Sequence, residues 1–233
     1  MKAFDFTSAE RAFSASAVKS DKSRPSRRNS IYGRFGKRIF DVTLALLLLP
    51  LFLPLIAVVW VLTRMDGGHG FYSQKRIGQD GSIFDCWKIR TMVVNAEQVL
   101  QELCDSDPEV AREWHENQKL AKDPRITKVG SFLRATSLDE LPQIWNVLRG
   151  EMSFIGPRPF MTSQEPLYRQ AGGEAYFELR PGITGNWQVE GRGVSTFVDR
   201  IRYDDAYLTQ MSLKEDLRLV FKTIKVLLAH TGH

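Results

Sequence analysis

The spacing of apolar positions changes along this chain, and each change marks a different element. From Val42 to Thr63 the apolar positions run unbroken: "VTLALLLLPLFLPLIAVVWVLT" has 22 residues and no charge, enough as a helix to cross a bilayer core of about 30 Å. Downstream, "GFYSQKRIGQDGSIFDCWKIRTM" alternates in two short runs around Gly78–Gly81, which predicts a β-hairpin. Residues 93–121 follow helical spacing, broken at "CDSDPE", Cys104 to Glu109. Leu141, Ile144, Trp145 and Leu148 make one buried helical stripe, and a start near Glu140 or Pro142 suits the proline, which a helix tolerates in its first turn. Leu213 to Ala229 is again helical, with Lys214, Arg218, Lys222 and Lys225 in a narrow arc beside Leu213, Leu217, Val220, Ile224 and Leu227. That pattern suits either a helix lying on an anionic membrane surface or a core helix with a solvated basic edge. Residues 1–30 are polar and aperiodic and read as a disordered tail. The expected architecture is α+β, with a tail over 1–36, a membrane segment over 37–66 and a small mixed domain over 67–233.

Composition adds a sign. The chain has 233 residues, 43% of them hydrophobic, sufficient for a core and inconsistent with a disordered protein. The formal net charge of +5 is compatible with nucleic acid, lipid headgroups or nucleotides as partners and separates none of them. Its placement says more. Between Lys19 and Arg38, the basic residues Lys19, Lys22, Arg24, Arg27, Arg28, Arg34, Lys37 and Arg38 face a single acid, Asp21, as expected of a segment resting on anionic lipid.

Three readings of the apolar run stay open on residues alone. A cleaved signal peptide does not fit, because the basic leader is too long and no small-x-small site follows. A signal anchor would place residues 67–233 outside the cytoplasm, and a buried core helix would have to enclose Leu44–Leu49, apolar on all sides. A re-entrant segment would use Pro50 and Pro54 as its break and keep both basic flanks, Arg64, Lys75, Arg76, Lys88 and Arg90 included, in the cytoplasm.

Candidate chemistry centres on "TSLDELPQ", Thr136 to Gln143. Ser137-x-x-Glu140 fits a capping box, yet that start would put Pro142 five residues into the helix. With a later start, Asp139 and Glu140 stand at a helix entrance, where the dipole favours ionised carboxylates and so suits a nucleophile or a metal ligand. "SFIGPRPF" fixes Arg158 between two prolines after a glycine, either to grip phosphate or as a rigid connection. "RPGITGNWQVEGRG" permits close backbone approach to a phosphate or base, or is a glycine-rich turn region. "DSD", Asp105 to Asp107, has the form of a metal–nucleotide-sugar motif but precedes Pro108 as helix starts do. Cys86 and Cys104 lack metal spacing and are expected to remain thiols, and the four histidines are scattered.

Four stretches, "KRIFDVTLALLLL", "FYSQKRIGQDGSIFDCWKIRTM", "DPRITKVGSFLRATSLDELPQIWNVLRGEMSFIGPRP" and "RPGITGNWQVEGR", together resemble the bacterial sugar transferases, the monotopic polyprenyl-phosphate phosphoglycosyl transferases, from about Lys37 to the C-terminus. The chain is similar to the short exopolysaccharide galactosyl-1-phosphate transferases of succinoglycan synthesis. The resemblance implies an enzyme of the bacterial inner membrane with its domain on the cytoplasmic face and interfacial amphipathic helices. It implies transfer of a hexose 1-phosphate, galactose or glucose, from a UDP-sugar to undecaprenyl phosphate with release of UMP, Mg²⁺ as cofactor, and no nucleic-acid partner; the oligomeric state is left open. By carry-over Asp139 is the nucleophile that forms a phosphosugar ester, Glu140 with Asp139 holds Mg²⁺, and Arg158, with Lys88, Arg90 and Arg134 as helpers, binds phosphate. It also implies a re-entrant helix–break–helix at Pro50 and Pro54. The chain departs from the pattern at Leu53, where the family usually has serine, and at Met211, where it commonly has tryptophan. Against this stand a catalytically silent membrane-surface protein and a signal-anchored extracytoplasmic binding domain.

Overall fold

The computed structural model describes residues 27–65, 67–117, 120–191 and 195–228. It is helix-rich, with two small two-stranded sheets and one apolar helix near the N-terminus, in keeping with the α+β expectation. Residues 1–26 of the expected tail lie outside the described residues, while residues 27–36 are already helical, as short turns over Arg27–Asn29 and Tyr32–Gly36.

Helix α1, Lys37–Arg64, contains both Pro50 and Pro54 and runs through them as one element; two helices separated by a break are not seen. Each proline leaves a carbonyl one turn earlier, Leu46 and Pro50, without its N–H partner. Among the described residues α1 and its lead-in, Tyr32–Arg64, form the one helix long and apolar enough to cross a membrane. Its burial is segmental. Ala45, Ile56 and Val59 are in the core, whereas Leu46, Leu47, Leu51, Leu53 and Leu55 between them are exposed. Both ends are tied to the same folded unit. At the start, Arg38 donates to the carbonyls of Val147 and Leu148 at 2.5 and 2.7 Å, and Asp41 accepts from the Ser153 hydroxyl at 2.8 Å and the Phe154 N–H at 3.1 Å. Lys37 bonds Asp216 at 2.7 Å, and Asp216 also accepts from Tyr32 and Tyr207. At the far end the Thr63 carbonyl accepts from Arg90 at 3.0 Å, and Trp60 packs on Phe71.

Strands β1, Phe71–Ile77, and β2, Ile83–Ile89, pair antiparallel with Arg76 opposite Phe84 and Tyr72 opposite Lys88. The reversal uses left-handed backbone at Asp80 and Gly81. Period-2 alternation puts Arg76 and Lys88 on one face with Phe84 and Cys86, and Lys75 on the other, paired with Asp85 at 2.9 Å. Helices α2, Ala96–Ser106, and α3, Pro108–Asn117, follow the expected split. Asp107 accepts the Glu109 N–H at 2.8 Å and Asp105 accepts from Gln101, so "DSD" is a helix boundary here.

Helix α4, Lys128–Thr136, is capped by the Thr127 side chain and stopped by Ser137 at φ 57°. A 3₁₀ helix, Leu138–Gln143, then leads directly into α5, Ile144–Arg149. The Ser137 side chain makes no capping bond, so the capping box is not formed. The expected stripe is also shifted: Ile144 and Val147 are fully buried, while Trp145 is exposed. A 3₁₀ helix advances 120° per residue and an α-helix 100°, so a stripe counted at α spacing from Leu141 drifts off the core side.

Strand β3, Ser153–Ile155, pairs in parallel with β4, Gly182–Thr184, and short helices α6, Glu165–Gln170, and α7, Ala175–Glu178, lie between them. Gly156 and Gly182 stand back to back: a Cβ on Gly182 would lie 2.1 Å from the Gly156 nitrogen, and the Gly182 N–H bonds the Pro157 carbonyl at 2.7 Å. This contact sets where the chain turns into Arg158. Helix α8, Arg200–Gln210, and α9, Leu213–Leu228, complete the fold. On α9, Leu219 and Asp216 are buried whereas Leu213, Leu217, Phe221 and Ile224 form an exposed apolar row; the side chain of Leu227 lies outside the described residues.

Candidate active site

Asp139 and Glu140 sit in the 3₁₀ helix against β2, and Glu140 lines a cleft together with Arg76, Cys86, Lys88, Gln143 and Arg158 among others. The left-handed turn at Ser137 and the fully buried Ile144 fix this short helix between α4 and the core. Lys88 reaches it from the inner face of β2, with Nζ 2.8 Å from Glu140 Oε1 and 4.0 Å from Asp139 Oδ2. Arg158 donates to the same Glu140 oxygen at 3.3 Å. Two cations therefore converge on Glu140, leaving Asp139 with one at longer range.

Asp139 is 8% exposed. Burial pushes its carboxyl above the usual carboxylate range; the Lys88 ammonium pulls it back, the Glu140 charge raises it and the Arg134 guanidinium lowers it. A helix entrance favours ionisation, but desolvation outweighs that effect here. A half-desolvated carboxylate is a stronger nucleophile than a fully hydrated one, provided a cation keeps it ionised. Lys88→Met is accordingly expected to raise the Asp139 pKa and shift the acidic limb of kcat/KM to higher pH, since the lost ammonium favoured the charged form. A pH–rate profile checks this, and an unmoved limb would detach Lys88 from Asp139.

Of the other residues singled out in the sequence, Arg134 is beside the site, its Nε bonded to the Thr91 hydroxyl at 2.8 Å. Arg90 has a different placement. Its guanidinium donates to the carbonyls of His69, Met92 and Thr63 at 2.6, 2.8 and 3.0 Å, joining β2 to the end of α1. Lys75 is on the opposite face of the hairpin. Arg76 was grouped with the basic hairpin but not assigned to the site; the strand alternation, combined with the position of Lys88, carried that signal. Gln143 was also missed. It follows Glu140 by three residues, the interval at which 3₁₀ side chains eclipse, and is 2% exposed. Cys86 and Cys104 are free thiols.

Among the described residues no group of three or more His, Cys, Asp or Glu side chains converges on one point. The donor set at the site is two adjacent carboxylates in a cationic cleft. That suits Mg²⁺, which takes one or two carboxylates from protein and completes its shell with phosphate oxygens and water; it does not suit a structural zinc. Chemically, a carboxylate poised beside lysine and arginine donors fits the attack of an oxygen nucleophile on a phosphate.

A family model described as bacterial sugar transferase matches residues 32–230. The UDP-galactose-lipid carrier transferase of Erwinia amylovora is 46% identical over 200 residues, covering 85% of this chain and 42% of that protein. The undecaprenyl-phosphate galactose phosphotransferase of Salmonella typhimurium is 42% identical over 199 residues, again covering 85% and 42%. The exopolysaccharide production protein ExoY of Sinorhizobium fredii is 46% identical over 201 residues, covering 86% and 88%. The chain thus spans less than half the length of the first two relatives and most of the third.

Proposed function

This chain belongs to the bacterial sugar transferase family, and on that premise we propose that it moves a hexose 1-phosphate, galactose or glucose, from a UDP-sugar to undecaprenyl phosphate, as a first step of exopolysaccharide synthesis. The observation that carries this reading is the cleft itself: Asp139 and Glu140 side by side, with Lys88 and Arg158 converging on Glu140. The names of the relatives supply the donor and the lipid carrier.

In the proposed mechanism Arg158 and Lys88 neutralise the phosphate that carries the sugar. Asp139 attacks that phosphorus, forming a bond from its carboxylate oxygen; the bond to the bridging oxygen breaks, and the electron pair leaves with UMP. A phosphate oxygen of undecaprenyl phosphate then attacks the same phosphorus, and the Asp139 carboxylate departs unchanged. Dividing the exchange this way lets two bulky partners use one site in turn. Bound Mg²⁺, held by Glu140 and Asp139, would supply charge neutralisation on the phosphate oxygens. Lys88 meanwhile favours the ionised form of Asp139.

The same reading places the protein at the cytoplasmic face of the cell membrane as a re-entrant, monotopic enzyme. A helix that crosses a bilayer straight has one end on each side, so one folded unit can bind only one of them. Here a single unit packs against both ends of α1, while the apolar stretch around Pro50 and Pro54 is exposed. Bending at the prolines would let that stretch dip into lipid and return. The exposed row on α9 supplies a second surface for the membrane interface.

The experiment that tests the function is UMP release by detergent-solubilised protein given undecaprenyl phosphate, Mg²⁺ and UDP-sugars one at a time. Lipid-dependent release with UDP-galactose or UDP-glucose is the expected result. Silence with every donor, from protein shown to be folded, would overturn it.

A further inference from the structure

Among the described residues, several buried or half-buried guanidinium groups share a pattern of bonding, and Arg200 departs from it. Arg38 and Arg90 donate to backbone carbonyls, Arg180 donates to the Gly150 carbonyl and Arg125 to the Asp123 carboxylate. Each makes at least one hydrogen bond within the fold, as desolvated donors do. Arg200, at the start of α8, is set between two rings, its Cζ 4.1 Å from the Trp187 centroid and 4.8 Å from that of Phe197. Its Nε is buried with no hydrogen-bond partner, and among the described residues its side chain makes no hydrogen bond or ion pair. A guanidinium has five N–H donors. Leaving the buried Nε idle costs stability in the free protein, and the terminal nitrogens beside the two rings are left available to a ligand.

The surroundings say what the donors face. Phe197 packs edge-on against Phe160 at 5.7 Å between centroids; Phe160 follows Arg158 and Pro159, and the Pro159 carbonyl accepts from Arg76 at 3.3 Å. Arg200 thus shares one aromatic junction with Arg76 and Arg158, which line the cleft. Burial, with repulsion from Arg158 and Arg76, pushes Arg200 down to about 10. Asp204 opposes this, but it is buried, tied to the Tyr168 hydroxyl at 2.8 Å, and itself drawn up to about 7. Three cations set against Glu140, which Arg158 already bonds, and this buried carboxyl make an anion site.

We infer that Arg200, with Arg76, holds the phosphate that stays with the nucleotide. The inference rests on the donor reading above. In a displacement at phosphorus the attacking and leaving oxygens lie roughly in line. Asp139 stands on one side, with Lys88 and Arg134 acting on it, and Arg158 bridges to Glu140. Arg200 is joined to the Arg158 segment through the Phe197 and Phe160 rings. That is the leaving side, where a diphosphate donor carries its second phosphate and where paired N–H donors fit phosphate oxygens.

The test is the affinity of the detergent-solubilised protein for UMP, measured by titration calorimetry and as product inhibition of transfer. Arg200→Gln is expected to weaken UMP about 10- to 100-fold, the range for loss of a charged hydrogen bond to phosphate. The KM for the UDP-sugar should rise in proportion while the KM for undecaprenyl phosphate changes less, and Arg200→Lys should recover part of the loss. Equal UMP affinity in Arg200→Gln and the parent overturns the assignment, and a shift confined to the KM of the lipid would transfer Arg200 to the acceptor. Thermal melting of both variants separates a ligand contact from a folding defect: a fall in UMP affinity that Arg200→Lys does not recover, with an equal drop in melting temperature in both, also overturns it. If the parent itself neither binds UMP nor releases it from a UDP-sugar, it is the donor reading that fails.

Discussion

Asp139→Asn is expected to lower kcat by at least about 10⁴-fold, the scale on which covalent catalysis collapses when its nucleophile is removed, while the protein folds and melts no earlier than its parent. The amide keeps the shape of the carboxylate and cannot donate an electron pair to phosphorus as an anion does. The stability half of the expectation follows from burial. Because the folded environment raises the Asp139 pKa, its ionisation in the native state works against folding as pH rises above the unfolded value, and a neutral amide removes that opposition. Steady-state UMP release and a thermal melt near neutral pH check the two halves together. Turnover within tenfold of the parent would remove Asp139 as the nucleophile. A melting temperature well below the parent's would mean that the carboxylate holds the fold together.

Arg158→Lys is expected to reduce kcat/KM about 100-fold with the charge retained. Arginine offers a planar fork of donors, lysine a single point charge. Gly156 and Gly182 meet backbone to backbone, and Pro157 and Pro159 flank the arginine, so the chain cannot shift to bring a shorter, differently shaped head to the same position. In the free protein Arg158 also bonds Glu140 at 3.3 Å, and the variant would leave Lys88 as the main partner of that carboxylate. Kinetics at saturating lipid, with donor varied, measures the effect. Near-parental kcat/KM would reduce Arg158 to a spacer.

The carboxylate pair could be read from the sequence because its members are adjacent and precede a proline, a local arrangement that survives any packing. Arg158 was legible for the same reason, since its prolines constrain it locally. Arg90 was not. Nothing in "WKIRTM" tells a phosphate ligand from a guanidinium that ties down the end of a helix, because the carbonyls of Thr63 and His69 reach it only through tertiary structure. Trp145 was misassigned to the core because the turn before it is 3₁₀, and pattern counting presumes one period throughout. Arg200 lies in "VDRIRYDD", which reads as a solvated helix start; its isolation among rings comes from Trp187 and Phe197, brought in by the fold.

The packing of α1 bears on how a water-soluble form could be made. Ala45, Ile56 and Val59 belong to the main core together with Phe84, Ile144 and Leu219, and Asp41 accepts hydrogen bonds from the strand that leads to Arg158. Deleting the helix would open that core and free the phosphate-facing segment, so truncation should yield an aggregating, inactive remnant rather than a soluble catalyst. A redesign that keeps the inward residues and replaces Leu46, Leu47, Leu51, Val58 and Val61, all outward-facing, with polar residues would leave the keystone of the fold standing.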